Sequence, residues 1–172
     1  MRKTVTIVAI LLSVFLDSLV FARLGLYGVR PDALLGTIVS FGVLMGGLPA
    51  GLIGLAAGLF TDIFFGRFVG LGAAIYLLAG FGGGLFYRKF YADNLIVPSA
   101  AAAVAGVAKE VVMAIALALT GVKFSFFLLL VEYILPCAFL SALWCALVHV
   151  IFRRVYNGRQ SPGFALGAGG RK

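Results

Sequence analysis

Long apolar runs alternate along the chain with short groups of charged residues, glycine and proline. Most of these runs approach or reach the length of about 20 residues that a helix needs to cross the hydrocarbon core of a bilayer. The pattern therefore predicts an all-α polytopic membrane protein with about six transmembrane helices. The predicted helices cover residues 4–21, 31–46, 49–65, 71–86, 95–120 and 124–152.

The second and third predicted helices are separated only by Gly46, Gly47, Leu48 and Pro49. Proline is well tolerated in the first turn of a helix, so these residues favour a tight hairpin over one long kinked helix. Six spans leave almost no chain for a further domain. We expect a single transmembrane domain over residues 1–156 and a Gly-rich, basic, disordered cytoplasmic tail over residues 157–172.

The composition places the chain outside the range of soluble globular domains. Hydrophobic residues make up 63% and charged residues 12% of the chain, and the mean hydropathy is +1.14. With six spans and an internal N-terminus, nine basic residues lie inside and four outside, which predicts that both termini are cytoplasmic. The inside set is Arg2, Lys3, Arg88, Lys89, Arg153, Arg154, Arg159, Arg171 and Lys172; the outside set is Arg23, Arg30, Arg67 and Lys123. The net charge of +8 follows from this topology and the tail, so it indicates contact with anionic membrane lipids and not nucleic-acid binding.

Glycine recurs at helical spacing in the middle of the chain. Gly51, Gly54, Gly58 and Asp62 form one stripe at about 100° per residue. Small residues let helix backbones approach closely in lipid. The stripe therefore predicts a packed face, with Asp62 turned away from lipid.

Four acidic residues, Asp17, Asp32, Asp62 and Glu132, fall in the outer half of the predicted membrane region, near the four outside bases. Carboxylates at such depth face protein or water and find partners. The sequence leaves two interpretations open. The acids cap helices and form salt bridges that hold the bundle together, or they line a functional polar pocket or docking surface.

Lys109 and Glu110 stand near the middle of the fifth predicted helix, about 100° apart. Either the membrane segment begins later than this point, or one of the two side chains reaches a buried partner on another helix. Cys137 and Cys145 are interpreted as small packing residues, and His149 as an interfacial residue near the inner end of the last helix.

The chain lacks the usual signatures of catalysis: no Ser with a His and an acid in helical register, no metal-binding cluster, and no glycine loop between a strand and a helix. We therefore expect no enzymatic activity and no cofactor.

Several segments together resemble the MreD family of bacterial rod shape-determining proteins. Arg30, Pro31 and Asp32 open the second helix, Gly58 to Gly66 match a G-x-x-x-D pattern followed by apolar residues, and Val69-Gly70-Leu71-Gly72-Ala73 precedes an aromatic residue at Tyr76. The length and the number of spans match over the whole chain, whereas the motif covers only residues 30 to 80. Phe65 stands where the family often has Ser, which weakens any role for a hydroxyl there.

The resemblance implies a non-enzymatic scaffold of the cell-elongation machinery in the bacterial plasma membrane. Its direct partner would be MreC, and the same assembly would hold MreB, the glycosyltransferase RodA and a class B penicillin-binding protein. The implied fold is similar to the six-helix substrate-binding component of energy-coupling-factor transporters. That similarity leaves a vitamin-binding transporter component as the alternative function, and a small intramembrane enzyme as a third. The expected packing and partner-contact residues are Arg30, Pro31, Asp32, Gly54, Gly58, Asp62, Gly66, Arg67, Gly70 and Glu132.

Overall fold

The computed structural model of the chain describes residues 2–21, 32–66, 69–87, 95–121 and 125–157. Almost all of these residues are helical, and none of them lies in a strand. The predicted all-α fold is thereby confirmed. The helices are α1 (Arg2–Phe15, continued by a π-helical segment Leu16–Phe21), α2 (Ala33–Met45), α3 (Gly47–Phe65), α4 (Leu71–Gly84), α5 (Ile96–Leu119) and α6 (Phe126–Leu129, a π-helical segment Leu130–Ile134, and Leu135–Asn157).

A tight hairpin joins α2 and α3. Gly46 lies between them with a φ of +99°, a backbone conformation that favours glycine. A Cβ on Gly54 would lie 3.1 Å from Ile38 Cγ2. Contact between two residues that each lie eight positions from Gly46 requires the chain to fold back on itself. The hairpin predicted at this site is confirmed.

Helix α2 is the centre of the bundle. Every residue from Ala33 to Gly42 is buried, so no side of this part of the helix is left exposed. The helix packs against all five other helices. Its 13 residues correspond to about 20 Å of helix, which is shorter than the roughly 30 Å of a bilayer core. Its N-cap Asp32 contacts Lys109 of α5 and Ser141 of α6, so α2 begins beside the inner turns of these longer helices and not at their ends.

The contact between α3 and α4 depends on glycine in both helices. A Cβ on Gly58 would lie 2.7 Å from Ala73 Cα, and one on Gly80 would lie 2.7 Å from the carbonyl carbon of Ala50. A Cβ on Gly84 would collide with the backbone of Gly47. Such backbone contact is the usual way to bring helices together in lipid, and it accounts for the buried stripe that the sequence predicts on α3.

Three helical segments are long and apolar enough to cross a membrane: Gly47–Phe65, Ile96–Leu119 and Leu130–Phe152. Three further apolar segments are shorter, namely Val5–Ser18, Ala33–Met45 and Leu71–Gly84. Many large apolar side chains point outward, such as Phe64 on α3 and Phe139 on α6, which are 64% and 70% exposed. An exposed apolar surface of this kind suits contact with lipid and not with water.

Candidate functional site: a buried ion cluster at the start of α2

Two carboxylates occupy the N-terminus of α2. The amides of Ala33 and Leu34 donate to Asp17 Oδ1 and Oδ2 at 2.7 and 2.8 Å. The amide of Leu35 donates to Asp32 Oδ1 at 2.7 Å, so Asp32 is the N-cap. The first amides of a helix have no partner within the helix, and negative charge there is stabilised by the helix dipole. Asp17 thus ties α1 to the start of α2.

Lys109 is the cation of this cluster. Its ammonium group bonds to Asp32 Oδ2 and lies 3.8 Å from Glu110 Oε1. The hydroxyl of Tyr76 donates to the same Asp32 oxygen at 3.0 Å, and the Tyr76 ring centroid lies 5.4 Å from Lys109 Nζ. On the other side, the Asp32 amide donates to Ser141 Oγ at 2.9 Å. Asp32 therefore contacts side chains from three other helices.

The cluster is almost closed to solvent. The side chains of Lys109, Asp32 and Glu110 are only 16%, 9% and 17% exposed. Of the two interpretations of Lys109 that the sequence left open, the structure supports the second, because Lys109 reaches a buried partner on another helix. Within the described part of the chain, the cluster joins three carboxylates and one ammonium group and connects five of the six helices.

Asp62 lies outside this cluster and caps the N-terminus of α4. Its Oδ2 accepts the amides of Gly70 and Ala73, both at 3.0 Å, so the end of α3 holds the start of α4. A Cβ on Gly72 would collide with the Asp62 carboxylate. Gly70 has a φ of +93°, and Gly66 ends α3 by donating its amide to the Asp62 carbonyl at 3.0 Å. The Asp and Gly residues of this segment thus form one connection between two helices.

A second set of polar side chains lies in the core below the cluster. Ser13 and Thr37 share a hydrogen bond of 2.8 Å, and Trp144 Nε1 donates to Thr37 Oγ1 at 3.4 Å. One turn further along α2, Ser40 Oγ lies 3.1 Å from His149 Nδ1. His149 is fully buried within the bundle, which its interpretation as an interfacial residue did not anticipate. A buried imidazole needs a polar partner, and Ser40 on the central helix provides one.

No family model, curated protein or solved structure matches this chain. The function must therefore be argued from the geometry of the site itself.

The expected site residues fall into distinct groups. Asp32 belongs to the ion cluster, while Gly54 and Gly58 belong to the α3–α4 packing face. Asp62, Gly66 and Gly70 form the connection between α3 and α4. Glu132 is exposed in the π-helical segment of α6 and is not brought into the cluster. Arg30, Pro31 and Arg67 lie outside the described residues, as does the tail from residue 158 onward.

Sequence reasoning did not place Tyr76 or Ser141 beside Asp32. In the sequence, Tyr76 stands out only as the aromatic residue that follows the glycine segment, and Ser141 does not stand out, because Ser occurs throughout membrane helices. Lys109 does stand out, since an ammonium group in the middle of an apolar helix requires a partner. Among the described residues, no set of three His, Cys, Asp or Glu side chains is arranged to hold a metal ion.

Proposed function

We propose that this chain is a non-enzymatic membrane scaffold of the cell-elongation machinery, the role that its resemblance to the MreD family implies. The observation that carries the proposal is that the buried acids are used internally. Both oxygens of Asp17 and both oxygens of Asp32 accept hydrogen bonds from within the protein. Asp62 likewise caps α4.

Ionisable side chains within membrane helices are usually explained by a transport path or a ligand. Here the carboxylates accept hydrogen bonds from helix termini and from Lys109, as expected for side chains whose role is to hold the helices together. A bundle held in this way presents fixed outer faces to other helices. This favours a protein that binds partners along its surface over one that takes a small molecule into its polar centre.

In this proposal the chain is a multi-pass protein of the bacterial plasma membrane, with six spans and both termini in the cytoplasm. The direct partner is a single-span protein of the MreC type. MreB, RodA and a class B penicillin-binding protein belong to the same assembly. The proposed fold is the six-helix bundle of energy-coupling-factor substrate-binding components.

One observation favours the alternative function, the binding of a vitamin-like ligand. The short helix α2 begins deep in the bundle beside Lys109 and Glu110, and transporters bind substrates where interrupted helices begin at such a depth. A ligand that displaces the internal partners of Asp32 could then occupy the cluster.

Two measurements separate the candidates. The chain is co-expressed with a single-span MreC-type partner and purified in mild detergent, and its thermal stability is measured alone against a panel of vitamins. A scaffold recovers the partner and shows no shift with vitamins. A ligand at a hundred times its dissociation constant would add about 2.7 kcal/mol of stability. A saturable vitamin shift without recovery of the partner would overturn the scaffold proposal.

A further inference from the structure

An apolar groove of about 370 Å³ runs between α1 and α6. Its walls are aliphatic and aromatic side chains from these two helices, and Thr37 of α2 forms part of its floor. The lining residues are Val5, Val8, Ala9, Leu12, Ser13, Thr37, Trp144, Leu147, Val148, Ile151 and Phe152. The volume lies within the range of about 300–1,000 Å³ that is usual for ligand pockets.

The two walls of the groove run antiparallel. At one end, Ser13 on α1 and Trp144 on α6 both hydrogen-bond to Thr37. From there the lining runs back along α1 to Val5 and forward along α6 to Phe152, and Val5 packs against the apolar cluster that contains Phe152. The groove therefore leads from a small polar site in the core towards the N-terminus of α1 and the C-terminal turns of α6.

Basic residues follow on both helices at this second end. Arg2 and Lys3 occupy the first turn of α1, and Arg153 and Arg154 directly follow Phe152 in α6. At about 1.5 Å of rise per residue, all four lie within one helical turn of the end of the groove. The groove is thus apolar along its length, and both helices carry basic residues at positions next to one of its ends.

We propose that this groove is a binding site for one anionic phospholipid of the bilayer. One acyl chain lies along the apolar walls, and the phosphate group lies at the end of the groove next to which the two helices carry these basic positions. Basic pockets between membrane helices are suited to anionic lipid headgroups, and guanidinium groups match the geometry of phosphate oxygens.

The charge distribution favours a lipid over a partner helix. Membrane helices carry an excess of Lys and Arg on their cytoplasmic flank, so a partner helix lying in the groove would bring positive charge to the end at which α1 and α6 already carry four basic positions. An anionic headgroup instead neutralises them. The proposal is independent of the scaffold function, since a vitamin-binding component could hold the same lipid.

Trp144 provides a direct probe, because it is the only tryptophan in the chain and it lines the groove. The full-length protein is reconstituted into vesicles that contain phosphatidylglycerol and phosphatidylcholine. In one set only the anionic lipid carries brominated acyl chains, and in the other only the zwitterionic lipid does. Bromine quenches indole fluorescence on contact, so the ratio of quenching between the two sets, at equal mole fractions, measures which lipid occupies the groove.

We expect stronger quenching by the anionic lipid and a weaker preference at high salt. Replacing both α6 bases (Arg153→Gln and Arg154→Gln) should reduce the preference by a factor of up to about 30, since each basic residue near an anionic membrane surface contributes about 1 kcal/mol. The control is Arg88→Gln with Lys89→Gln, which removes the same charge from the segment between α4 and α5 in the sequence and should keep the preference. Equal quenching by both lipids, or an equal loss of preference in both variants, would overturn the proposal.

A second variant tests the apolar wall. Val8→Phe adds volume inside the groove while leaving every charge in place, and Val8 is 57% exposed, so the larger side chain is compatible with folding. We expect quenching by the anionic lipid to fall to the level of the zwitterionic lipid. If Val8→Phe retains the full preference, the lipid is held only by charge at the surface and the groove is not its site.

Discussion

The ion pair between Lys109 and Asp32 should be coupled strongly enough to appear in a double-mutant cycle. Lys109→Met removes the cation and keeps an unbranched side chain of similar length. Removing one partner of a buried pair costs about 3–5 kcal/mol of unfolding free energy, because the other charge stays buried. We expect the lower end of that range, since Asp32 keeps its bonds from Leu35 and Tyr76.

The second arm of the cycle is Asp32→Asn, which removes the charge and retains an oxygen that can cap α2. It also leaves the Lys109 ammonium group buried without this partner, so we expect a cost within the same range of about 3–5 kcal/mol of unfolding free energy. In the double variant neither charge of the pair remains, so its destabilisation should fall short of the sum of the single ones by about 2 kcal/mol, within the usual range for residues in contact.

Equilibrium unfolding in mixed micelles, followed by Trp144 fluorescence, measures all four proteins. Ala108→Met is the matched control, because Ala108 is adjacent to Lys109 and exposed, and it should change the unfolding free energy very little. If Lys109→Met behaves like this control, or if the two single effects add to within about 0.5 kcal/mol, then Lys109 and Asp32 do not form the central pair of the bundle.

Three further outcomes follow from the packing, the capping and the topology. Gly80→Ala should lower the unfolding free energy by about 1–3 kcal/mol, because the added methyl group overpacks against Ala50. In Gly82→Ala the new Cβ meets nothing within 4 Å, so this change should be neutral or stabilising by up to about 1 kcal/mol. Equal effects of the two variants in thermal unfolding would contradict the close α3–α4 contact. Asp62→Ala should lower the unfolding free energy by about 1–3 kcal/mol, because two hydrogen bonds from backbone amides are lost. Thr61→Val loses only a hydrogen bond within its own helix, so it should cost less than half as much in the same assay. Reporter fusions should place both chain termini in the cytoplasm, and a C-terminus outside would refute the proposed six spans.

The sequence was sufficient to predict features that depend on neighbouring residues. Helix positions follow from the length of the apolar runs, and the hairpin follows from Gly46 and its neighbours. The packed stripe on α3 follows from the spacing of Gly54, Gly58 and Asp62. Each of these is a local pattern with a known helical period, so it needs no knowledge of which helices are neighbours.

The ion cluster required information that local patterns lack. Lys109 and Asp32 are 77 residues apart, and their pairing depends on the rotation and the depth of α5 relative to α2. The burial of His149 has the same origin, because it depends on Ser40 facing α6. Hydropathy identifies each of these helices but does not give their relative register. A lone charge in an apolar helix indicates that a partner exists without naming it.

The two kinds of contact in this bundle solve different parts of one physical problem. Lipid tails are as apolar as leucine, so burying leucine between helices does little to fix their arrangement in a membrane. The α3–α4 pair is fixed by backbone contact at glycine and by the Asp62 cap. The remaining helices are held to α2 by a few polar bonds, with Asp17 from α1, Lys109 from α5 and Ser141 from α6 meeting at its first turn. Because these bonds are directional, they fix the depth and the rotation of each helix where apolar packing alone would leave both free.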